Sequence, residues 1–153
     1  MTPTHDFELQ FVVRWSDMDA NRHMKNTAFS EYAVDTRFQM LMSRGFDQAR
    51  FEELSFGPVI FREEIRYRRE VQAGQTITLS VLSAGLSADG SQWRVRQQVR
   101  GEDGREAATL VIDGAWIHLD TRRLIAPPED LMRIMQELPR AEGYEELASV
   151  LRP

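Results

Sequence analysis

The segment from about Thr27 to Arg44 carries apolar side chains round most of its circumference when wound as a helix. Phe29, Ala33, Val34, Phe38, Met40 and Leu41 cover a wide arc, and Glu31, Asp35 and Gln39 form one narrow polar stripe. A surface helix has a narrower apolar face, so other structure must largely enclose this one. Gly45 marks its end, and Asn26 or Thr27 is placed to cap its start.

The rest of the chain reads mostly as strands. Phe7, Leu9, Phe11, Val13 and Trp15 alternate with mostly polar residues, the period of a half-buried strand. Phe46 to Gly57 reads as a loop. Val59 to Val71 alternates again, and Ile77, Leu79 and Val81 mark a third strand. Trp93, Val95 and Val99 mark a fourth, entered through Ala88-Asp89-Gly90. Asp103-Gly104 is a strong hairpin signal leading into a fifth, about Arg105 to Leu119. Pro128 suits the first turn of a final helix whose apolar face is Leu131, Met132, Met135 and Leu138. Consecutive strands with short turns predict an antiparallel sheet, and the order predicts an α+β fold with the helix against one face.

Composition excludes several classes. The 153 residues suit one domain, taken as 1–153, and are 42% hydrophobic and 28% charged, as in a soluble globular protein. No cysteine is present, which removes disulfides, thiolate metal sites and a cysteine nucleophile, and fits a cytoplasmic setting. Met1 to Phe7 lacks the pattern of a signal peptide, and no apolar run reaches a membrane span. A net charge of −5 argues against a general nucleic-acid binder.

The chemistry concentrates in Arg14-Trp15-Ser16-Asp17-Met18-Asp19-Ala20-Asn21-Arg22-His23-Met24-Lys25-Asn26. This loop delivers two carboxylates, two amides and an imidazole to a helix N-terminus, where free N–H groups and the positive dipole end attract negative charge. Free N–H groups there suit a developing oxyanion. A carboxylate beside them stays ionised at neutral pH and can attack a carbonyl carbon or orient a water. Asp17, Asp19 and Asn21 also match the opening of a calcium loop, but Arg22 stands where glycine is needed and Ala28 where glutamate is needed. His5, His23 and His118 lie too far apart in sequence to suggest a metal set, and no metal or cofactor is expected.

The same run resembles the 4-hydroxybenzoyl-CoA thioesterase branch of the hotdog superfamily, whose pattern is roughly D-x-D-x-x-G-H-V-N-N before the central helix. Tyr32, Asp35 and Arg37 continue the likeness, which covers about residues 7 to 45. It implies a five-stranded antiparallel sheet wrapped around a long central helix, with a C-terminal helix added. It implies hydrolysis of an acyl-CoA thioester, with Asp19 as the catalytic carboxylate, His23 and Asn26 assisting, and the backbone at Met24, Lys25 and Thr27 as the oxyanion site. Arg22 replaces the usual glycine, and Lys25 an asparagine. A homodimer, possibly a tetramer, is the expected assembly.

Other residues carry two readings each. Asp17 is a loop organiser or a substrate contact. Tyr32, Phe29 and Phe56 are core or acyl pocket. Arg66 and Arg68 share a strand face with Arg62, either as solubilising charge or as partners for CoA phosphates; Arg94, Arg96 and Arg100 share another. Glu31 and Asp35 are a solvated stripe or, as in other hotdog branches, the catalytic carboxylates. His118 is structural. Rival functions are an enoyl-CoA hydratase, from the echo in Asp19 to His23, and a non-catalytic acyl-CoA-binding module.

Overall fold

A computed structural model describes residues 7–152. Strand β1 (Phe7–Val12) lies antiparallel to β3 (Thr76–Ser87), with Phe7 opposite Val81 and Val12 opposite Thr76. β3 pairs with β4 (Gln92–Arg100), β4 with β5 (Glu106–His118), and β5 with β2 (Phe56–Tyr67), giving the path β1-β3-β4-β5-β2. These are the five strands read from the sequence, and all their pairings are antiparallel. The Asp103-Gly104 signal makes the β4–β5 turn, with Gly104 at φ 79°, a value that suits glycine.

Two short strands extend the sheet to seven. β6 (Leu124–Ile125) pairs with β5. β7 (Arg140–Leu147) runs parallel to the second half of β3. Its sequence is charged, and it forms because β3 offers an unpaired flank beyond the end of β1.

Helix α1 (Asn26–Ser43) crosses the inner face of the sheet. Ala28, Phe29, Tyr32, Ala33, Thr36, Met40 and Leu41 are buried, together with Ile77, Leu79, Val81, Val95, Val99, Leu110 and Ile112 of the strands. Burying such side chains is the main stabilising term, of order 1.5–3 kcal/mol each. Gln97 is fully buried among them. It donates from Nε2 to the Ala33 carbonyl at 3.1 Å and accepts from Arg37 Nη1 at 2.8 Å.

The enclosure of α1 is one-sided in the chain alone. Val34 is 51% exposed, and Phe38 is half-buried. The N-cap is Lys25, without a side-chain bond, so neither Asn26 nor Thr27 caps the helix. The segment read as a loop holds α2 (Gln48–Leu54), capped by Asp47, whose carboxylate accepts from Arg50 N–H at 3.0 Å. Pro128 is the N-cap of α3 (Glu129–Glu137), which buries Leu131, Ile134 and Met135. Among the described residues no helix is long and apolar enough to cross a membrane.

Candidate active site

The chain leaves the sheet after Val12 and turns through a short 3-10 segment at Trp15–Asp17. Trp15 therefore lies off the strand and is 84% exposed, contrary to the period-two reading. Asp17 is 1% exposed. Its carboxylate accepts from Arg14 Nη2 at 2.9 Å and Nε at 3.1 Å, and from the Tyr32 hydroxyl. Its carbonyl accepts from Lys25 N–H at 2.8 Å. Burial pushes the Asp17 carboxyl up, but the bonds from Arg14 and Tyr32 outweigh it and hold the group below the usual carboxylate range. Burial and the neighbouring carboxylate push the Tyr32 hydroxyl up, so it stays a donor.

Two residues further on, Asp19 is half-buried. Oδ1 accepts from Asn21 N–H at 2.8 Å, which closes the turn. Oδ2 lies 3.5 Å from His23 Nδ1, and that nitrogen is 3.3 Å from the Met24 carbonyl. Both neighbours of Nδ1 are oxygens, which suits that nitrogen as the donor. Arg22 holds a left-handed backbone, φ 66°. The turn needs that conformation at the position where glycine was expected.

The amides at the helix start are not equivalent. Met24 N–H donates to the Val71 carbonyl at 2.7 Å, and Lys25 N–H to the Asp17 carbonyl. Ala28 N–H donates to the Lys25 carbonyl at 3.1 Å. Asn26 and Thr27 N–H have no protein acceptor among the described residues. Of the expected oxyanion amides at Met24, Lys25 and Thr27, only that of Thr27 is free of a protein acceptor among the described residues, and Asn26 N–H is free beside it. The first two amides are spent on closing the loop on itself at Asp17 and tying it to Val71 on the approach to β3.

Asp19 lines two grooves. One, about 320 Å³, is formed with His23, Met24, Asn26, Phe29, Tyr67, Arg68, Arg69 and Glu70. The other, about 500 Å³, is formed with Trp15, Met18, Arg22, Gln72 and Ala73. Further along α1 an apolar cavity of about 430 Å³ opens between the C-terminal half of the helix and the start of β2. Its walls include Val34, Phe38, Leu41, Phe56, Ile60, Trp93 and Trp116. Arg37 also faces it, with its charge form disfavoured by burial, and no carboxylate among the described residues lies within 4.0 Å of it.

The thioesterase-like superfamily matches residues 13–135, a span that contains the loop, α1 and four of the five long strands, β2 to β5. The chain belongs to the thioesterase-like superfamily. That membership places it with the thioester hydrolases, and the sheet wrapped on α1 is the hotdog fold. The L-carnitine dehydrogenase/betainyl-CoA thioesterase of Agrobacterium fabrum is 28% identical over 123 residues, which is 79% of this chain and 24% of that protein. The chain thus spans about a quarter of that relative's length. A hypothetical protein of Staphylococcus aureus, solved in complex with CoA, superposes with a TM-score of 0.80 at 21% identity, covering 92% of this chain and 90% of that one. The 1,4-dihydroxy-2-naphthoyl-CoA thioesterase of Synechocystis superposes at 0.77 with 13% identity, covering 86% and 96%.

Within this thioesterase-like chain, Asp19, His23 and Asn26 line one groove. Phe29 lines the same groove and Phe56 the apolar cavity. Asp17 and Tyr32 face neither. The Asp17 carboxylate and the Tyr32 hydroxyl bond to each other, and the carboxylate also to Arg14, an arrangement that accords with the loop-organiser reading of Asp17. Arg66 lies outside the Asp19 grooves and is 3.5 Å from Glu64. Arg68 lines the Asp19 groove but lies 3.6 Å from Glu106. Arg62, Arg94 and Arg100 are likewise paired with carboxylates.

Glu31 and Asp35 line a separate shallow groove with Phe11, Val12, Arg14 and Tyr32, away from Asp19. His118 accepts from the backbone of Asp120 and Thr121, a structural role. His5 lies outside the described residues. Sequence reasoning missed Tyr67, Arg69 and Glu70 on the groove wall. Their only signal was a position at the end of a strand, which no local pattern ties to Asp19.

Proposed function

We propose that this chain hydrolyses an acyl-CoA thioester to a carboxylic acid and CoA, with Asp19 as the catalytic carboxylate. The carrying observation is that Asp19 lines the same groove as a helix start whose Asn26 and Thr27 N–H groups have no protein acceptor. The thioester carbonyl oxygen would lie before those two amides, which stabilise the negative charge that develops as the carbonyl carbon is attacked. Asp19 Oδ2 either attacks that carbon or takes a proton from an attacking water. In both cases water supplies the hydroxyl of the acid, and the departing thiolate ends as the free thiol of CoA. Asn26 is exposed, and its side-chain amide has no partner among the described residues, so it is available to the substrate. His23 orients Asp19 through Nδ1.

The acyl group would run along α1 toward the apolar cavity, whose volume is in the range of small-molecule pockets. A homodimer is part of the reading. β2 is an edge strand, and Ile60, Phe61 and Tyr67 on it are large, apolar and exposed. An exposed apolar edge invites pairing with a second copy. A cytoplasmic setting accords with the lack of cysteine.

The test is thiol release from a panel of acyl-CoAs by the wild type and Asp19→Asn. Loss of a general base or electrostatic group costs about a hundredfold or more, and that is the expected fall in kcat. Unchanged turnover in Asp19→Asn would remove the residue from the mechanism.

A further inference from the structure

Trp15 offers a nearly bare indole to solvent at the mouth of the larger groove beside Asp19. It has no aromatic partner and no cation over its face among the described residues. Arg22, on the same groove, is exposed, and no carboxylate among the described residues lies within 4.0 Å of its guanidinium. This sets it apart from Arg62, Arg66, Arg68, Arg94 and Arg100, all paired with carboxylates. Gln72 completes the wall. Its backbone N–H is bonded to Gln75, and its side-chain amide has no partner among the described residues. A flat π-face, a free cation and a free amide thus line a groove of about 500 Å³ that touches the candidate catalytic carboxylate. Arg22 holds this place on a backbone conformation that favours glycine.

We propose that this groove binds the nucleotide end of CoA, with the adenine stacked on Trp15 and a phosphate paired with Arg22. Purine rings stack on tryptophan irrespective of sequence context, and a guanidinium matches phosphate through two parallel bonds. Asp19 lies on the wall common to both grooves, so the pantetheine arm passes it to bring the thioester before Asn26 and Thr27. The inference rests on the acyl-CoA thioesterase reading and adds which residues of this chain hold the nucleotide.

Two measurements test it. Titration calorimetry with desulfo-CoA, 3′,5′-ADP and pantetheine follows binding without turnover. Wild type should bind the first two, Arg22→Gly and Trp15→Ala should each weaken both about tenfold, as expected for loss of one charge-assisted contact or one stacked base, and pantetheine should be indifferent to either change. In kinetics, Arg22→Gly should raise KM for an acyl-CoA about tenfold with kcat kept, and leave the matching acyl-pantetheine unaffected. Desulfo-CoA binding unchanged in both variants, or equal losses for the CoA and pantetheine thioesters, would overturn the groove assignment while Asp19-dependent hydrolysis stood. Nucleotide binding that needs Trp15 and Arg22 in a protein that cleaves no thioester would instead sink the hydrolase reading and keep the groove. Sedimentation of Trp15→Ala checks the other use of a bare indole: a change of mass with desulfo-CoA binding intact would show that Trp15 seats a second copy, and overturn the proposal.

Discussion

Tyr32, on the buried face of α1, donates its hydroxyl to the carboxylate of Asp17, fifteen residues earlier in the chain. The bond fixes the loop to the helix at the point where Asp17 also accepts from Lys25 N–H through its carbonyl. Tyr32→Phe removes one donor from a buried carboxylate, and Arg14 remains as the second. A loss of about 1–3 kcal/mol is expected, read from urea unfolding. Because the loop also presents Asp19, kcat should fall more than KM changes. A variant with unaltered stability would show that Arg14 alone satisfies Asp17.

Acid should unfold the protein through Asp17 and Asp89. For Asp89, burial pushes the carboxyl up, but the bonds from the hydroxyls of Ser149, Ser91 and Ser87 and from Ser91 N–H carry it well below the usual range. Both groups hold protons more weakly in the folded chain than in the unfolded one. Their contribution is complete above about pH 4, the ordinary aspartate value, and is lost as pH falls through the folded-state values. Urea midpoints should be level from pH 7 to 5 and drop below pH 4. Asp89→Asn should lower the neutral midpoint and make the acid limb shallower; an identical acid limb would exclude Asp89 as a source.

Arg22→Gly should stabilise the fold. A left-handed backbone costs an L-residue about 1–2 kcal/mol, which glycine avoids, although glycine returns part of that gain through its looser unfolded chain. A net gain near 1 kcal/mol corresponds to a rise in Tm of about 2–4 °C for a domain of this size. A fall in Tm would mean that the Arg22 side chain holds the turn.

The open edge at β2 sets an assembly prediction. Sedimentation should give a dimer for the wild type, and Ile60→Lys, which puts a charge on the exposed apolar edge, should shift the protein toward monomer with its circular dichroism retained. A mutant that stays dimeric would place the interface elsewhere.

Much of the frame could be read before any coordinates. Period-two runs located the strands, Asp103-Gly104 located a hairpin, and the wide apolar arc located α1. What escaped depended on distant partners. β7 forms because β3 has a free flank, and no pattern in Arg140–Leu147 encodes that. The α2 segment carries only Phe51 and Leu54 on its inner side, too few to show a period. The motif drew attention to Asp19, His23 and Asn26, and these do share a groove. Which amides stay free could not be read, because Met24 N–H is claimed by Val71, forty-seven residues away. Trp15 misled because its spacing continues a strand that the backbone has already left.

β3 draws its neighbours on one side from opposite ends of the described chain: β1 covers Thr76 to Val81, and β7 flanks Ser83 to Ser87. On a ribosome, the first half of that border can zip as soon as β3 emerges, whereas the second must wait until Leu147 is out. During that interval the emerging protein carries a bare stretch of backbone beside an otherwise finished sheet, and a chaperone or a neighbouring nascent chain has its best opportunity there.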